Sequence, residues 1–184
     1  MSAGPQPPLV IRRARPDDAE AWHALLHDVA SEGLWIGREA PVARDDAAFV
    51  ARLERADAAT FVAEIDGELV GSLSADDWRG VVSFAMWVAS HARGRRIGRA
   101  LLDACLAWAA DVGAHKVSLE VWPHNDAAIR LYRSAGFAIE GRKRRHYRRS
   151  NGELWDSLLM GKVLDTESPS STLPDAPSVE DPGA

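Results

Sequence analysis

The chain of 184 residues is long enough to build one ordinary hydrophobic core and too short for two. Its single cysteine excludes an internal disulfide framework and any metal cluster built on thiolates, and we expect no metal. No run approaches the roughly 20 apolar residues of a membrane span, and residues 1–8 lack the basic start and apolar stretch of a secretory signal. These features predict a cytoplasmic protein with no membrane partner.

The formal charge of −5 is unevenly distributed along the chain. Residues 165–184 hold five of the 27 acidic residues and no lysine or arginine, which leaves 22 acidic and 22 basic residues elsewhere. A neutral body does not suggest a general nucleic-acid-binding face, so no nucleic-acid partner is expected. Residues 165–184 are also rich in serine and proline. We predict a disordered acidic tail there, a flexible N-terminus over residues 1–8 and one domain over residues 9–164.

The first half of the domain alternates between strand and helix patterns. Residues 9–13 alternate like a short strand, and the helix-start residues 15–18 precede a segment with apolar side chains on one face. After a loop-like stretch, Asp45 or Asp46 can cap a second helix. Two β-rich runs then meet at Asp66-Gly67, a strong hairpin signal, and residues 81–88 predict a third strand.

The second half continues the alternation. Apolar residues recur at helical spacing from Ile97 to Val112 and predict a long helix that ends at Gly113. Residues 116–121 predict a strand, and residues 123–137 predict a capped helix. We expect two closing strands, residues 137–140 and 155–164, joined by a polar, basic hairpin. The resulting order is β, α, α, three strands, then αβαββ, which indicates one mixed α/β (α+β) domain.

Arginine is concentrated at the start of the long helix. The stretch VASHARGRRIGRALLDA contains Arg93, Arg95, Arg96 and Arg99 beside Gly94 and Gly98. A helix N-terminus has unpaired N–H groups and a partial positive charge, glycine lets an anion approach the backbone, and guanidinium groups suit phosphate oxygens. A pyrophosphate is therefore the ligand that this site predicts. The alternative is that these arginines only solvate an exposed helix start.

This stretch and a second block resemble the GNAT superfamily of acyl-CoA-dependent N-acyltransferases. The first block reads V-x-x-x-x-R-G-R-R-I-G-R-A-L-L after a strand, the second reads LEVWPHNDAAIRLYRSAGF, and the similarity covers residues 9–164. The resemblance implies a mixed, mostly antiparallel sheet of six to seven strands with four flanking helices, splayed at the site of CoA. Arg96 stands where the family's loop has its middle glycine, and its side chain could add a charge contact.

The resemblance also assigns acetyl-CoA as co-substrate and indicates which positions bind it. Those positions are Trp87, Val88, Arg93, Gly94, Arg95, Arg96, Ile97, Gly98, Arg99, Asn125, Ala128 and Tyr132.

Acyl transfer from a thioester to an amine needs a proton for the leaving thiolate, stabilisation of the carbonyl oxygen and a neutral amine. The resemblance makes Tyr132 the general acid, since its reference pKa of about 10 keeps it protonated. Backbone N–H groups around Trp87 and Val88 would face the carbonyl oxygen. Relatives often carry a carboxylate where Ser83 stands, so Glu120 is the best remaining base, acting directly or through water. The alternatives are a packed aromatic for Tyr132 and a solvent-facing carboxylate for Glu120.

Trp35, Ser83 and Trp122 are candidates for the acceptor site, with core packing as the alternative for the tryptophans. The predicted function is direct transfer of an acetyl group from acetyl-CoA to the primary amine of a small molecule: an amino acid, a polyamine or an antibiotic-like compound. The alternatives are acetylation of a protein N-terminus or lysine, for which an open groove would be the discriminating feature, and a non-catalytic CoA-binding sensor. Both a monomer and a homodimer are compatible with the sequence.

Three other features have structural explanations. Cys105 lies within the apolar stripe of the long helix, which favours packing over nucleophilic chemistry. His23 and His27 have the i, i+4 spacing of a chelating pair but no third ligand, and we expect two surface histidines. The basic run from Gly141 to Gly152 is predicted to be an exposed hairpin rather than a nucleic-acid site.

Overall fold

The computed structural model describes residues 8–164, so the predicted tail and all but the last residue of the predicted N-terminal segment lie outside the described part. The elements are β1 (Val10–Arg13), α1 (Ala19–Ser31), α2 (Asp46–Leu53), β2 (Ala58–Ile65), β3 (Glu68–Trp78), β4 (Val81–Val88), α3 (Ile97–Asp111), β5 (Lys116–Val121), α4 (Asp126–Ser134), β6 (Ala138–Arg148) and β7 (Leu154–Val163). This is the predicted order of elements. Among the described residues, none of the helices has the length and apolar character that crossing a membrane would require.

The described strands form one sheet of seven, in the order β1-β2-β3-β4-β5-β7-β6. Every neighbouring pair is antiparallel except β4 and β5, which run parallel. A parallel pair needs a crossover connection, and α3 provides it. The mixed, mostly antiparallel sheet with its four helices is the fold class that the resemblance implies.

Helices cover both faces of the sheet, as two neighbouring residues of β3 demonstrate. A Cβ atom on Gly71 would meet Ile97 and Leu101 of α3 at 3.0 and 3.1 Å. The next residue, Ser72, accepts a hydrogen bond at 2.9 Å from the indole nitrogen of Trp22 in α1. Because successive strand residues point to opposite faces, α3 lies on one face of the sheet and α1 on the other. We call these the α3 side and the α1 side.

The parallel strands β4 and β5 separate after a short ladder. Pairing covers only Val81–Ser83 and Lys116–Ser118, although β4 continues to Val88 and β5 to Val121. Beyond Ser83 the inner edge of β4 therefore has no strand partner. This gap near the middle of the sheet is the splayed pair that the resemblance implies, and it determines where a ligand can enter.

The last two strands differ from the prediction. β6 extends to Arg148, so most of the basic run is strand and not a connecting loop. Charged residues such as lysine are depleted in strands on average, so the sequence pattern ends the predicted strand too early. An edge strand tolerates such residues, and β6 pairs only with β7, where Asp156 lies 2.6 Å from the Arg142 guanidinium.

His23 is buried and does not lie on the surface as predicted. Its Nδ1 atom lies 2.7 Å from the carbonyl oxygen of Ala19, and its Nε2 atom accepts from the Asp45 amide at 3.1 Å. Asp45 in turn caps α2 by accepting from the Ala48 amide at 2.9 Å. The imidazole therefore links α1 to the start of α2, a structural role. Cys105 is fully buried, as predicted.

Candidate active site

A cleft of about 1000 Å³ occupies the gap between β4 and β5. Its lining comes from helices α1, α2 and α4, the α1–α2 loop, strands β3 to β7, the β4–α3 turn and the start of α3. It therefore connects the α3 side of the sheet with the α1 side. All predicted site residues line this cleft except Arg95.

The first turn of α3 presents free amides to the cleft. The first backbone bond of the helix runs from the Ala100 amide to the Arg96 carbonyl oxygen at 3.1 Å, so the three amides between them have no partner inside the helix. Such amides and the helix dipole attract an anion. A Cβ atom on Gly98 would lie 3.2 Å from Leu131 of α4, so glycine permits the close approach of the two helices.

The arginines of this turn have different environments. Arg96 adopts a left-handed backbone, with φ of 61° and ψ of 13°, at the position of the family's glycine. This conformation costs an L-residue roughly 1–2 kcal/mol. Arg99 lines the cleft and is paired with Asp103, one turn further along α3, at 2.9 Å.

Arg93 is engaged with the end of α1. Its two terminal nitrogens donate to Glu32 at 2.7 and 2.6 Å, and its Nε atom donates to the carbonyl oxygen of Val88 at 3.1 Å. The Trp35 ring lies 5.6 Å from the guanidinium, and its indole nitrogen donates to the same Glu32 at 2.7 Å. The hydrogen bonds from Arg93 hold the pKa of Glu32 below its usual value. We call this group of Glu32, Trp35, Arg93 and the Val88 carbonyl the Glu32 clamp.

The free edge of β4 provides two further amides. The Ala89 amide donates to Val70 of β3 at 2.9 Å, and the register continues unbroken along β4. Amides alternate in direction along an antiparallel strand, so the Trp87 amide also points to β3. The amides of Met86 and Val88 point the other way, into the gap. This corrects the expectation for Trp87, whose amide is not available, and makes Met86 the partner of Val88.

The Trp87 side chain lies on the α1 side of the cleft. It is 7% exposed and packs edge-on against Trp22, with 5.3 Å between ring centroids. Its indole nitrogen is a buried donor with no partner among residues 8–164.

Helix α4 brings Tyr132 to the cleft. Asn125 caps this helix by accepting from the Ala128 amide at 3.2 Å, and both residues line the cleft. The Tyr132 ring packs edge-on against Phe84, with 5.8 Å between centroids. Burial raises the pKa of Tyr132 above its usual value, and nearby Cys105 adds to the effect, so the phenol stays protonated at neutral pH. The hydroxyl has no hydrogen-bond partner within the described chain and is open to the cleft.

Glu120 lies on the α1 side and is held by three donors. Ser157 donates to it at 2.7 Å, Tyr147 donates at 3.1 Å, and Lys143 forms an ion pair with it. Partial burial raises the pKa of Glu120, but these donors outweigh burial and leave the pKa below its usual value. The group is therefore an ionised carboxylate and a weak base. Lys143 and Tyr147 were not predicted as site residues, and the register of β6 shifts between them, so strand periodicity alone does not bring them together.

A second carboxylate lies opposite Ser83. The register pairs Ser83 with Asp76 of β3, and both line the cleft. Arg52 of α2 donates to the two oxygens of Asp76 at 2.8 and 2.9 Å. Because Asp76 is bound in this way, it joins α2 to the sheet.

The loop between α1 and α2 is fastened over the α1 side of the cleft. Arg149, predicted to be exposed, is buried and donates to the carbonyl oxygens of Gly33 at 3.0 Å and Ile36 at 3.3 Å. Its guanidinium lies 4.4 Å from the Trp155 ring centroid and 5.8 Å from that of Trp122, the cleft-lining tryptophan. The tryptophan wall and the loop are therefore joined by one buried cation.

Comparison with known proteins places this architecture in a family. The model of the acetyltransferase (GNAT) family matches residues 20–137. L-methionine sulfoximine/L-methionine sulfone acetyltransferase of Pseudomonas paraeruginosa is 31% identical over 139 residues, which span 71% of this chain and 81% of that protein. The structure of ribosomal-protein-alanine N-acetyltransferase from Brucella melitensis aligns with a TM-score of 0.78 and 30% identity, covering 84% of this chain and 99% of that one. The Salmonella typhimurium protein yncA, solved with acetyl-CoA, aligns with a TM-score of 0.78 and 23% identity over 90% and 99% of the two chains.

The fold and the site define an enzyme of the acyl-CoA-dependent N-acetyltransferase class. The chain belongs to the GNAT acetyltransferase family.

Proposed function

We propose that the protein transfers the acetyl group of acetyl-CoA directly to the primary amine of a small molecule, with an amino acid or a similar compound as the first candidate. The observation that carries this proposal is the continuity of the cleft. The free amides of α3 and β4 open into the same space as Tyr132 and Glu120. The named activity of the Pseudomonas relative on methionine sulfoximine and methionine sulfone supports an acceptor of the amino-acid type.

The α3 side of the cleft fits the cofactor. The three free amides at the start of α3 would hold its pyrophosphate, and the Arg96 guanidinium would add charge. The Met86 and Val88 amides would bind the extended arm and the thioester oxygen, where donors already in place stabilise developing charge. Asn125 and Ala128 would line the arm. The cofactor supplies an activated acyl thioester.

Tyr132 is proposed to donate the proton that the departing sulfur needs. The hydroxyl holds its proton at Oη through the neutral range because burial raises the pKa. It has no competing hydrogen-bond partner among the described residues and is open to the cleft. A donor placed in this way can serve a thiolate, whose reference pKa is about 8.5.

Glu120 is proposed to attract the protonated amine. An ionised carboxylate with a lowered pKa binds a cation well but is a weak direct base. Three donors already occupy its oxygens, so the proton of the amine would leave through water. Trp35, Ser83 and Trp122 would form the wall around the acceptor.

The α1–α2 loop is fastened over the α1 side of the cleft. This favours a small molecule as the acceptor, because a polypeptide would need an open groove. The Glu32 clamp holds the start of this loop, and Arg149 holds it at Gly33 and Ile36. Acetylation of a protein N-terminus is the second candidate, favoured by the structural similarity to the Brucella enzyme.

The test is release of free thiol from acetyl-CoA in the presence of a panel of acceptors. The panel contains methionine sulfoximine, methionine sulfone, the common L-amino acids, polyamines and a peptide with N-terminal alanine. We expect turnover with an amino-acid-type compound, and the Tyr132→Phe variant should lower kcat by about 100-fold while leaving acetyl-CoA affinity unchanged in calorimetry. Fastest turnover with the peptide would favour the second candidate. Binding of acetyl-CoA without thiol release from any acceptor would indicate a sensor and refute the proposal.

A further inference from the structure

We propose that Glu32 is a positioning residue that holds Arg93 as a strut between the acceptor loop and the free edge of β4, so that Arg93 is not a phosphate ligand. The acceptor loop is residues 32–45, between α1 and α2. The inference rests on the proposed function for the direction of its kinetic effects. The position of Arg93 in the arginine-rich turn suggests the opposite role, since a free guanidinium there would bind phosphate.

The geometry of the Glu32 clamp favours the strut. Arg93 has five N–H donors, and three of them are occupied: two by the oxygens of Glu32 and one by the Val88 carbonyl. A planar, bidentate contact of this kind is the strongest that arginine makes with a carboxylate. Trp35 covers the guanidinium and donates to the same carboxylate, which fixes Glu32 from a second direction. The side chains of Arg93 and Glu32 are 36% and 26% exposed, so water screens the pair only in part.

The strut connects the acceptor loop with the edge of β4 that is proposed to bind the thioester. Glu32 ends α1 and begins the acceptor loop, whereas Val88 is the last residue of β4 and directs both its amide and its carbonyl into the gap. Arg93 holds that carbonyl through Nε and the loop through its terminal nitrogens. The residues that follow Glu32 have contacts of their own: Arg149 donates to the Gly33 carbonyl oxygen at 3.0 Å, and the His124 Nε2 atom lies 3.0 Å from the Leu34 carbonyl oxygen. Loss of the clamp would leave the start of the loop held by these contacts alone and would remove its link to β4.

The two possible roles of Arg93 predict different effects of a Glu32 substitution on acetyl-CoA affinity. If Arg93 is a phosphate ligand, Glu32 competes with phosphate for the same guanidinium, and removing the Glu32 charge must tighten the binding of acetyl-CoA. If Arg93 is a strut, removing that charge leaves acetyl-CoA affinity unchanged. It loosens the acceptor loop and thereby weakens the binding of the amine acceptor.

The experiment compares the full-length Glu32→Gln and Arg93→Lys variants with the wild type. Calorimetry gives acetyl-CoA affinity, amide hydrogen exchange reports on residues 33–39, and steady-state kinetics use the best acceptor of the panel. The strut predicts that acetyl-CoA Kd changes by less than about twofold in both variants, that the acceptor-loop amides exchange faster, and that the amine KM rises about fivefold to tenfold with a smaller change in kcat. The control is Glu140→Gln, which removes the charge from a similarly exposed ion pair with Lys116 outside the cleft and should change none of these quantities.

Tighter acetyl-CoA binding in Glu32→Gln, or unchanged hydrogen exchange in both variants, would overturn the proposal. If Glu32→Gln does not fold, Glu32→Asp keeps the charge and shortens the reach, and should show the same loosening to a smaller degree. Exchange and cofactor affinity do not depend on turnover. They therefore decide the role of Arg93 even if every acceptor fails, whereas a wild-type protein that binds no acetyl-CoA refutes the proposed function itself.

Discussion

Replacement of Arg96 by glycine should stabilise the fold and weaken cofactor binding at the same time. The left-handed backbone of Arg96, with φ of 61°, costs an L-residue roughly 1–2 kcal/mol and costs glycine almost nothing. Glycine loses more conformational freedom on folding, which offsets roughly 0.5–1 kcal/mol of this gain. The free energy of unfolding should therefore rise by about 0.5–1 kcal/mol, which corresponds to a rise in Tm of about 1–4 °C for a domain of this size. Loss of the guanidinium should weaken acetyl-CoA binding about tenfold, because a hydrogen bond between charged groups contributes roughly 1.5 kcal/mol.

Two control variants separate the backbone effect from the charge effect. Arg96→Ala keeps the left-handed backbone and loses the same side chain, so calorimetry should find weaker cofactor binding without a higher Tm. Arg145, in β6, also has a positive φ of 50° and does not line the cleft. Arg145→Gly should therefore raise Tm by a similar amount and leave acetyl-CoA affinity unchanged. Equal melting temperatures for Arg96→Gly and Arg96→Ala would refute the reasoning about strain.

Three further predictions concern stability. Arg12 donates to both oxygens of Asp18 at 2.7 and 2.8 Å and lowers its pKa, so this pair stabilises the fold fully above about pH 4 and loses its effect as the pH falls further. In Asp18→Asn, the free energy of unfolding measured with urea should fall less steeply below about pH 4 than in the wild type. An equally steep fall would contradict the role of the Arg12–Asp18 pair. Arg149→Met leaves the loop carbonyls unpaired, so it should lower the free energy of unfolding by about 2 kcal/mol and raise the amine KM. Asp45→Ala removes the α2 cap and should lower the free energy of unfolding by about 1 kcal/mol in the same assay. Asp45→Asn keeps a capping oxygen and should lower it only slightly.

The elements that were predictable are those whose geometry is set by neighbouring residues. The hairpin at Asp66-Gly67 forms where predicted because both residues adopt positive φ, 52° and 81°, which this pair tolerates. The strand over residues 81–88 and the start of α3 at Ile97 also match the pattern. Local periodicity and turn chemistry therefore predicted the order of the elements, whereas the arrangement of the strands in the sheet was implied by the family resemblance.

The parts that were missed depend on contacts between distant residues. Glu32 and Arg93 are 61 positions apart, and Ser157 is 37 positions from Glu120. No periodic pattern connects such pairs. The direction of the Trp87 amide depends on the register with β3, which the sequence does not display. Site positions were therefore accessible from motifs, while their hydrogen-bond partners were not.

The two outer strands of the sheet also affect how the protein behaves at high concentration. β1 has only four residues, and β6 has arginine at positions 142, 144, 145 and 148 along its unpaired margin. A neighbouring copy that docked against β6 would bring like charges together, and one that docked against β1 would gain few backbone bonds. Both edge strands of the open sheet therefore disfavour pairing between copies, which would otherwise lead to aggregation.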